Sequence, residues 1–153
     1  MIRIQRETPD QPDVVQLLAQ ADARSAALCP LARRFGLNLA GLLAQNVRFY
    51  VARIGDPVVG CGGYAVSDDR SAELKRIFVL PEVRGNGIGN SIVTALEQAA
   101  ASEQIWRVQL ETGIKSDEAI RLYRRLGYLE RGPFGDYGPD PLSLFMEKIL
   151  AAA

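Results

Sequence analysis

The stretch that most constrains this chain runs from Glu73 to Asn90, Glu-Leu-Lys-Arg-Ile-Phe-Val-Leu-Pro-Glu-Val-Arg-Gly-Asn-Gly-Ile-Gly-Asn. Ile77, Phe78, Val79 and Leu80 form a short run of β-favouring apolar residues. Pro81 stops that strand, because it has no N–H to give to a ladder. Arg84, Gly85, Asn86, Gly87, Ile88 and Gly89 follow. Beyond them Ile92, Val93, Leu96 and Ala100 recur at helical spacing, with Asn90, Thr94, Glu97 and Gln98 on the other side, so the pattern predicts a helix over roughly 87–102. A helix that opens on glycines presents bare backbone N–H groups, a ready site for a phosphate or pyrophosphate. Arg84 adds a planar cation beside it.

Two labels for such a turn fail on spacing. A P-loop needs Gly-Lys followed by Ser or Thr, and here Gly89 is followed by Asn90. The dinucleotide fingerprint needs a third glycine where Asn90 stands. What remains is Arg-x-x-Gly-x-Gly after Val79-Leu80-Pro81. On this stretch alone, a turn that only packs a helix on a sheet stays open beside a phosphate cradle.

The 153 residues suit one domain, read as 1–153, with a full-sized core. Lys+Arg and Asp+Glu number 18 each, so no global charge argues for nucleic acid or an anionic membrane. No apolar run approaches spanning length and the chain enters a strand pattern at Ile2, which makes the cytoplasm the expected compartment. Cys29 and Cys61 make neither a disulfide framework nor a metal cluster, and no metal site is expected. Histidine is absent, which removes His bases, Ser-His-Asp triads and His-ligated zinc together. Acid–base chemistry must come from Asp, Glu, Tyr, Lys or Cys.

Along the chain, Ile2 to Gln5 reads as a strand. Asp13 is placed to cap a helix with Val14, Leu17, Leu18 and Ala21 on its apolar side. Leu28 to Gln45 reads as a loop with a short helix, either a lid over the core or one wall of a substrate cleft. Asn46–Ile54 and Val58–Val66 read as a hairpin about Gly55-Asp56-Pro57. Ser67–Ser71 turns the chain into the strand of the opening stretch. Glu73, Lys75, Ile77 and Val79 share one parity and Leu74, Arg76, Phe78 and Leu80 the other. Each face is therefore part polar and part apolar, and the change at Lys75–Ile77 suits a bulge. Ile105–Thr112 alternates, with Trp106, Val108 and Leu110 on one face and Arg107, Gln109 and Glu111 on the other. It should lie parallel to the Ile77–Leu80 strand. Ser116 and Asp117 are placed to cap a helix that Gly127 ends. Tyr128–Arg131, a turn-rich loop and Leu142–Leu150 follow.

The order β-α-α-β-β-β-α-β-α-β-β, a mixed α/β sheet, resembles the GNAT superfamily of acyl-CoA-dependent N-acetyltransferases over essentially the whole chain. Arg84–Gly89 is similar to that family's acetyl-CoA signature. Leu110-Glu111-Thr112-Gly113 looks like the end of its fifth strand. Ala119-Ile-Arg-Leu-Tyr-Arg-Arg-Leu-Gly-Tyr128 looks like the segment that follows, and Glu111 matches the position of the proton acceptor in the family's ribosomal-protein alanine acetyltransferases.

The resemblance implies an enzyme that moves an acetyl group from acetyl-CoA to a primary amine by direct attack, with a Glu base and a Tyr acid. It implies a central parallel strand pair that splays. Main-chain groups of Ile77, Phe78 and Val79 then pair with the pantetheine arm, the Val79 N–H facing the thioester oxygen. Gly85, Asn86, Gly87, Ile88, Gly89 and Asn90 with Arg84 hold the pyrophosphate. Ser116 stands where those alanine acetyltransferases carry an asparagine that touches pantetheine. Tyr123 matches the general acid, while Glu111 and Glu73 each match a base of some members. A covalent route through Cys61 gives way to a packing role in a strand-like run. The rival class is a GNAT-fold module that binds acyl-CoA without turnover. The acceptor, a small molecule or a peptide, is not legible, although Ala26–Gln45 and Gly132–Ser143, with Phe134, Asp136, Tyr137 and Asp140, are the expected walls of its site. The resemblance also implies a homodimer.

Overall fold

The computed structural model describes residues 1–28 and 38–150. Its elements run β1 (Ile2–Arg6), α1 (Pro12–Leu28), α2 (Leu39–Leu42), β2 (Val47–Ile54), β3 (Val58–Val66), β4 (Ser71–Val79), α3 (Ile88–Ser102), β5 (Arg107–Gly113), α4 (Asp117–Arg125), β6 (Leu129–Arg131) and β7 (Ser143–Ile149). That is the expected order. The strands form one seven-stranded sheet in the order β1-β2-β3-β4-β5-β7-β6. Among the described residues only β4 and β5 are parallel; every other neighbouring pair is antiparallel.

Two apolar clusters cover the two sheet faces. Ile92, Val93, Leu96 and Ala100 of α3 meet Ala72 and Leu74 of β4 and Val108 and Leu110 of β5 on one face. Val14, Leu17, Leu18 and Ala21 of α1 meet Val47, Phe49, Val51, Cys61 and Phe78 on the other. The 3.6-residue stripe of each helix thus finds the period-2 stripe of the strands. Leu96 is fully buried, so Leu96→Ala should cost about 2–5 kcal/mol.

Three local expectations change. Asp13 does not cap α1 from outside. The helix starts at Pro12, with Val15 N donating to Gln11 O at 2.8 Å, and Asp13 lies in the first turn facing Arg53. Proline at the first helical position has no N–H to leave unsatisfied. Trp106 stands outside β5 and is 44% exposed, its indole N–H donating to Asp69 O at 2.9 Å. Ser116 occupies the N-cap position of α4 but its side chain makes no capping bond. Cys29 and residues 29–37 of the expected acceptor wall lie outside the described residues.

Candidate active site

β4 carries the feature on which the site depends. Its lower half pairs with β3 in one register, Lys75 opposite Gly63 and Leu74 opposite Tyr64. Its upper half pairs in another, Phe78 opposite Cys61 and Val79 opposite Gly60. Arg76 and Ile77 therefore stand together against Gly62, a bulge at the place the mixed faces suggested. Arg76 sits at φ +60°, left-handed for a residue with a Cβ. Past the bulge the faces exchange. Leu74 and, beyond the extra residue, Ile77 and Val79 pack toward α3, while Phe78 packs toward α1.

The bulge also exchanges hydrogen-bonding sides. Below it, Ser71 faces β3, accepting from Ser67 N at 2.9 Å, and Arg70 O faces the other way, accepting from Trp106 N at 3.1 Å. Unbroken alternation would turn residue 79 toward β3 as well. Instead Leu80 N donates to Val59 O at 2.9 Å, which leaves the Val79 N–H turned away from β3. On that side β5 has already left. The parallel pairing covers only Ser71–Arg107, Ala72–Val108 and Glu73–Gln109, although both strands run on. The expected splay is present, and Val79 N–H opens into it.

At the mouth of the splay, Gly85 and Gly87 have φ of +85° and +75°, and a Cβ at either would meet nothing within 4 Å. The backbone N–H groups of residues 85–90 donate to no protein acceptor among the described residues. They span the entry to α3 and its first turn, where the helix dipole adds partial positive charge. Donors without acceptors at a helix start fit a pyrophosphate. Arg84 is more engaged than a lone cation beside an anion. Its Nε donates to Val79 O at 3.1 Å and its Nη1 lies 3.5 Å from Glu118. It fixes the carbonyl of the same residue whose N–H opens into the gap. Ser116 lies close to Gly113, at the end of β5.

Tyr123 of α4 is 6% exposed and lies in the α3-side cluster, edge-on to Tyr128 with ring centroids 5.7 Å apart. Burial, and then the charge of Glu111, raise its phenol above the ordinary tyrosine range, so it holds its proton at neutral pH.

Glu111 and Glu73 differ in surroundings. Burial raises the Glu111 carboxyl above the usual range. A 2.7 Å hydrogen bond from Ser143 Oγ and the charge of Lys75 oppose the shift, and Glu73 and Asp140 add to it. Glu73 is held by Lys75 Nζ at 2.9 Å and by Tyr137 Oη, which donates to it at 2.5 Å. Lys75 Nζ also donates to Tyr137 Oη at 2.9 Å. The loop between β6 and β7 brings Tyr137 there, its ring against Phe134 and Phe145 at 5.1 and 5.3 Å. The bonds from Ser143 to Glu111 and from Tyr137 to Glu73 were not foreseen, although both donors fall in the Gly132–Ser143 segment expected to line the acceptor site. Asp140 is used locally, accepting from Leu142 N at 2.9 Å. Cys61 is fully buried, its thiol pushed up to about 12 by burial and directed at Arg76 O, which leaves it a packing residue.

A splayed parallel pair with an open donor turn at the start of the next helix defines a class of folds that offer free backbone to an extended ligand and N–H donors to an anion. The chain matches the Acetyltransferase (GNAT) family over residues 13–128, and it belongs to that family. It is 43% identical over 150 residues to an IAA acetyltransferase of Azospirillum brasilense, covering 97% of this chain and 98% of that one. The provisionally named acyl-CoA N-acyltransferase of Klebsiella pneumoniae superposes with a TM-score of 0.84 at 36% identity, covering 99% of each chain. The ribosomal-protein-S18-alanine N-acetyltransferase of Escherichia coli superposes with a TM-score of 0.75 at 19% identity, over 100% of this chain and 96% of that one, a likeness of fold. The chain is thus an acetyltransferase of a family that uses acetyl-CoA. Among the described residues no group of His, Cys, Asp and Glu is placed to hold a metal, and no helix is long and apolar enough to cross a membrane.

Proposed function

We propose that this protein transfers an acetyl group from acetyl-CoA to a primary amine by direct attack, within one N-acetyltransferase domain spanning residues 1–153. The observation that carries the reading is the Val79 N–H, turned into the gap between β4 and β5 with the unused donors of residues 85–90 at one end. Acetyl-CoA supplies the thioester. The donors of residues 85–90 bind its pyrophosphate, while Ile77, Phe78 and Val79 offer backbone to its pantetheine arm. Ser116 borders that arm. Val79 N–H hydrogen-bonds the carbonyl oxygen as it gains charge.

Glu111 is the base. Its raised carboxyl suits removal of a proton from an ammonium or attacking amine better than Glu73, whose charge Lys75 and Tyr137 already hold. As the C–N bond forms and the C–S bond breaks, the amine's proton passes to Glu111, directly or through water. Tyr123 Oη hydrogen-bonds the departing sulfur. The burial that keeps the phenol protonated also makes complete transfer to a thiolate uphill, so solvent completes the protonation.

The acceptor enters from the side of Glu73, Glu111 and Tyr137, where the carboxyl groups of Glu73, Glu111 and Asp140 outnumber the ammonium of Lys75, a balance that favours a cation. Release of thiol from acetyl-CoA, followed across a panel of small amines and short peptides with free N-termini, tests the reading. Turnover with at least one amine supports it. Binding of acetyl-CoA without turnover across the panel favours a sensor module.

A further inference from the structure

The bulge in β4 is gripped from both sides by its own strained residue. The Arg76 carbonyl accepts from Cys61 Sγ of β3 at 3.3 Å. Its guanidinium crosses to α1, where Nη1 pairs with Asp22 Oδ1 at 2.5 Å and Nη2 donates to Leu18 O at 3.3 Å. The side chain is 10% exposed, and its buried Nε has no hydrogen-bond partner. That is a poor arrangement for stability alone. A buried guanidinium with an unsatisfied N–H carries a desolvation penalty that an apolar side chain of similar length avoids. The backbone is also left-handed, which disfavours any residue but glycine.

We propose that Arg76 is a positioning residue for acetyl transfer: by pinning the β4 bulge to α1 through Asp22 and Leu18, it keeps the Val79 N–H in the gap between β4 and β5. Arg76 touches neither acyl donor nor acceptor in this arrangement. It acts through the two-against-one register with Gly62, which decides whether residue 79 faces β3 or the gap. A bulge held only by its neighbours in the ladder can be lost when the strand beyond it slides by one residue, and that slide returns the Val79 N–H to β3. The pin to a helix outside the sheet opposes that slide. The inference rests on the reading of Val79 as the donor to the thioester oxygen.

The test compares wild type with Arg76→Met and Asp22→Asn. Three quantities are measured: thermal midpoint, Kd for coenzyme A, and kcat with a working acceptor. Coenzyme A has no acyl oxygen, so its affinity reports the phosphate turn and the pantetheine contacts of β4 but not the bond from Val79 N–H to the thioester oxygen. Arg76→Met is expected to keep or raise the midpoint and to weaken coenzyme A binding by a smaller factor than it lowers kcat. Its kcat should fall at least tenfold, toward the ~10²–10³-fold loss of a whole oxyanion donor. Asp22→Asn, altered at a side chain that is 56% exposed, should fold as wild type and lose kcat about three- to tenfold. Unchanged kcat in both variants overturns the proposal. So does a loss of kcat that only tracks loss of midpoint and of coenzyme A affinity. If Arg76→Met does not fold, Asp22→Asn alone decides. Wild-type turnover is the separate control: without it the acetyl-transfer reading fails, whereas turnover unaffected by either variant fails this inference alone.

Discussion

Tyr137 donates its phenolic proton to Glu73 across 2.5 Å while accepting from Lys75 at 2.9 Å, so a loop residue far along the chain occupies the carboxylate that begins the most telling stretch of the sequence. Glu73 and Glu111 are thereby made unequal. Glu73→Gln is expected to keep kcat/KM within about tenfold. Glu111→Gln should lose ~10²–10⁴-fold, the usual range for a general base. Steady-state thiol release at saturating acetyl-CoA measures both, and equal losses would count against Glu111 as the base.

The pH dependence follows from the direction of the Glu111 shift. A base works deprotonated, so a raised carboxyl moves the acid limb of kcat/KM above the ordinary glutamate range near ~4.3. Stability runs the other way. A folded-state value above the unfolded one stabilises the protein at low pH, and this contribution is lost as pH rises through the folded value. Glu111→Gln should therefore gain in melting temperature over wild type as pH rises above the ordinary glutamate value of 4.5, while remaining poorly active. Melting curves across that range check the sign.

Tyr123→Phe removes one hydroxyl from a buried ring. Its melting temperature should stay near wild type, and kcat should fall by no more than ~10²–10⁴-fold. The loss should shrink when acetyl-CoA is replaced by a donor with a more acidic leaving thiol, because less help is needed at sulfur. An undiminished loss with such a donor would point to a packing role.

Glu7 provides a stability test away from the chemistry. Hydrogen bonds from Arg53 outweigh burial and bring its carboxyl from 4.5 down to about 2. A depressed carboxyl contributes stability above its unfolded value, and that contribution is lost as pH falls from about 4.5 to about 2. Glu7→Gln should cost ~1–3 kcal/mol at pH 7 and should flatten the fall in stability across that acid window. Urea melts at several pH values measure it.

Gly87→Ala places a Cβ in open space but at φ +75°. The expected cost is conformational, ~1–2 kcal/mol. Because Gly87 stands in the donor turn, KM for acetyl-CoA should rise several-fold with little change in kcat. A parallel fall in kcat would show that the turn shapes more than affinity.

Most of the architecture was legible because periodicity is a local property. The alternation of Val47, Phe49 and Val51 and the helical recurrence of Ile92, Val93, Leu96 and Ala100 each state which face is buried. Even the bulge was visible, since the polar and apolar faces of Glu73–Leu80 mix at Lys75–Ile77. The site was less legible where it depends on contacts distant in sequence. Tyr137 reaches Glu73 over 64 positions, and Ser143 reaches Glu111 over 32. Arg84 read as a cation for phosphate, yet its Nε secures the Val79 carbonyl, a use that no spacing rule encodes. Ser116 misled in a smaller way: its residue type fits a cap, but the strand-to-helix turn leaves its side chain without the capping bond.

The brevity of the β4–β5 pairing has a mechanical meaning. Among the described residues, three residue pairs, with buried Gln109 reaching Ser71 Oγ at 3.4 Å, are the only ladder between a leaf of β1 to β4 and a leaf of β5 to β7. The sheet is a book with a short spine. A strand-like ligand lying between the leaves acts as a second stitch at the open end, so occupancy should couple the two halves into one cooperative unit.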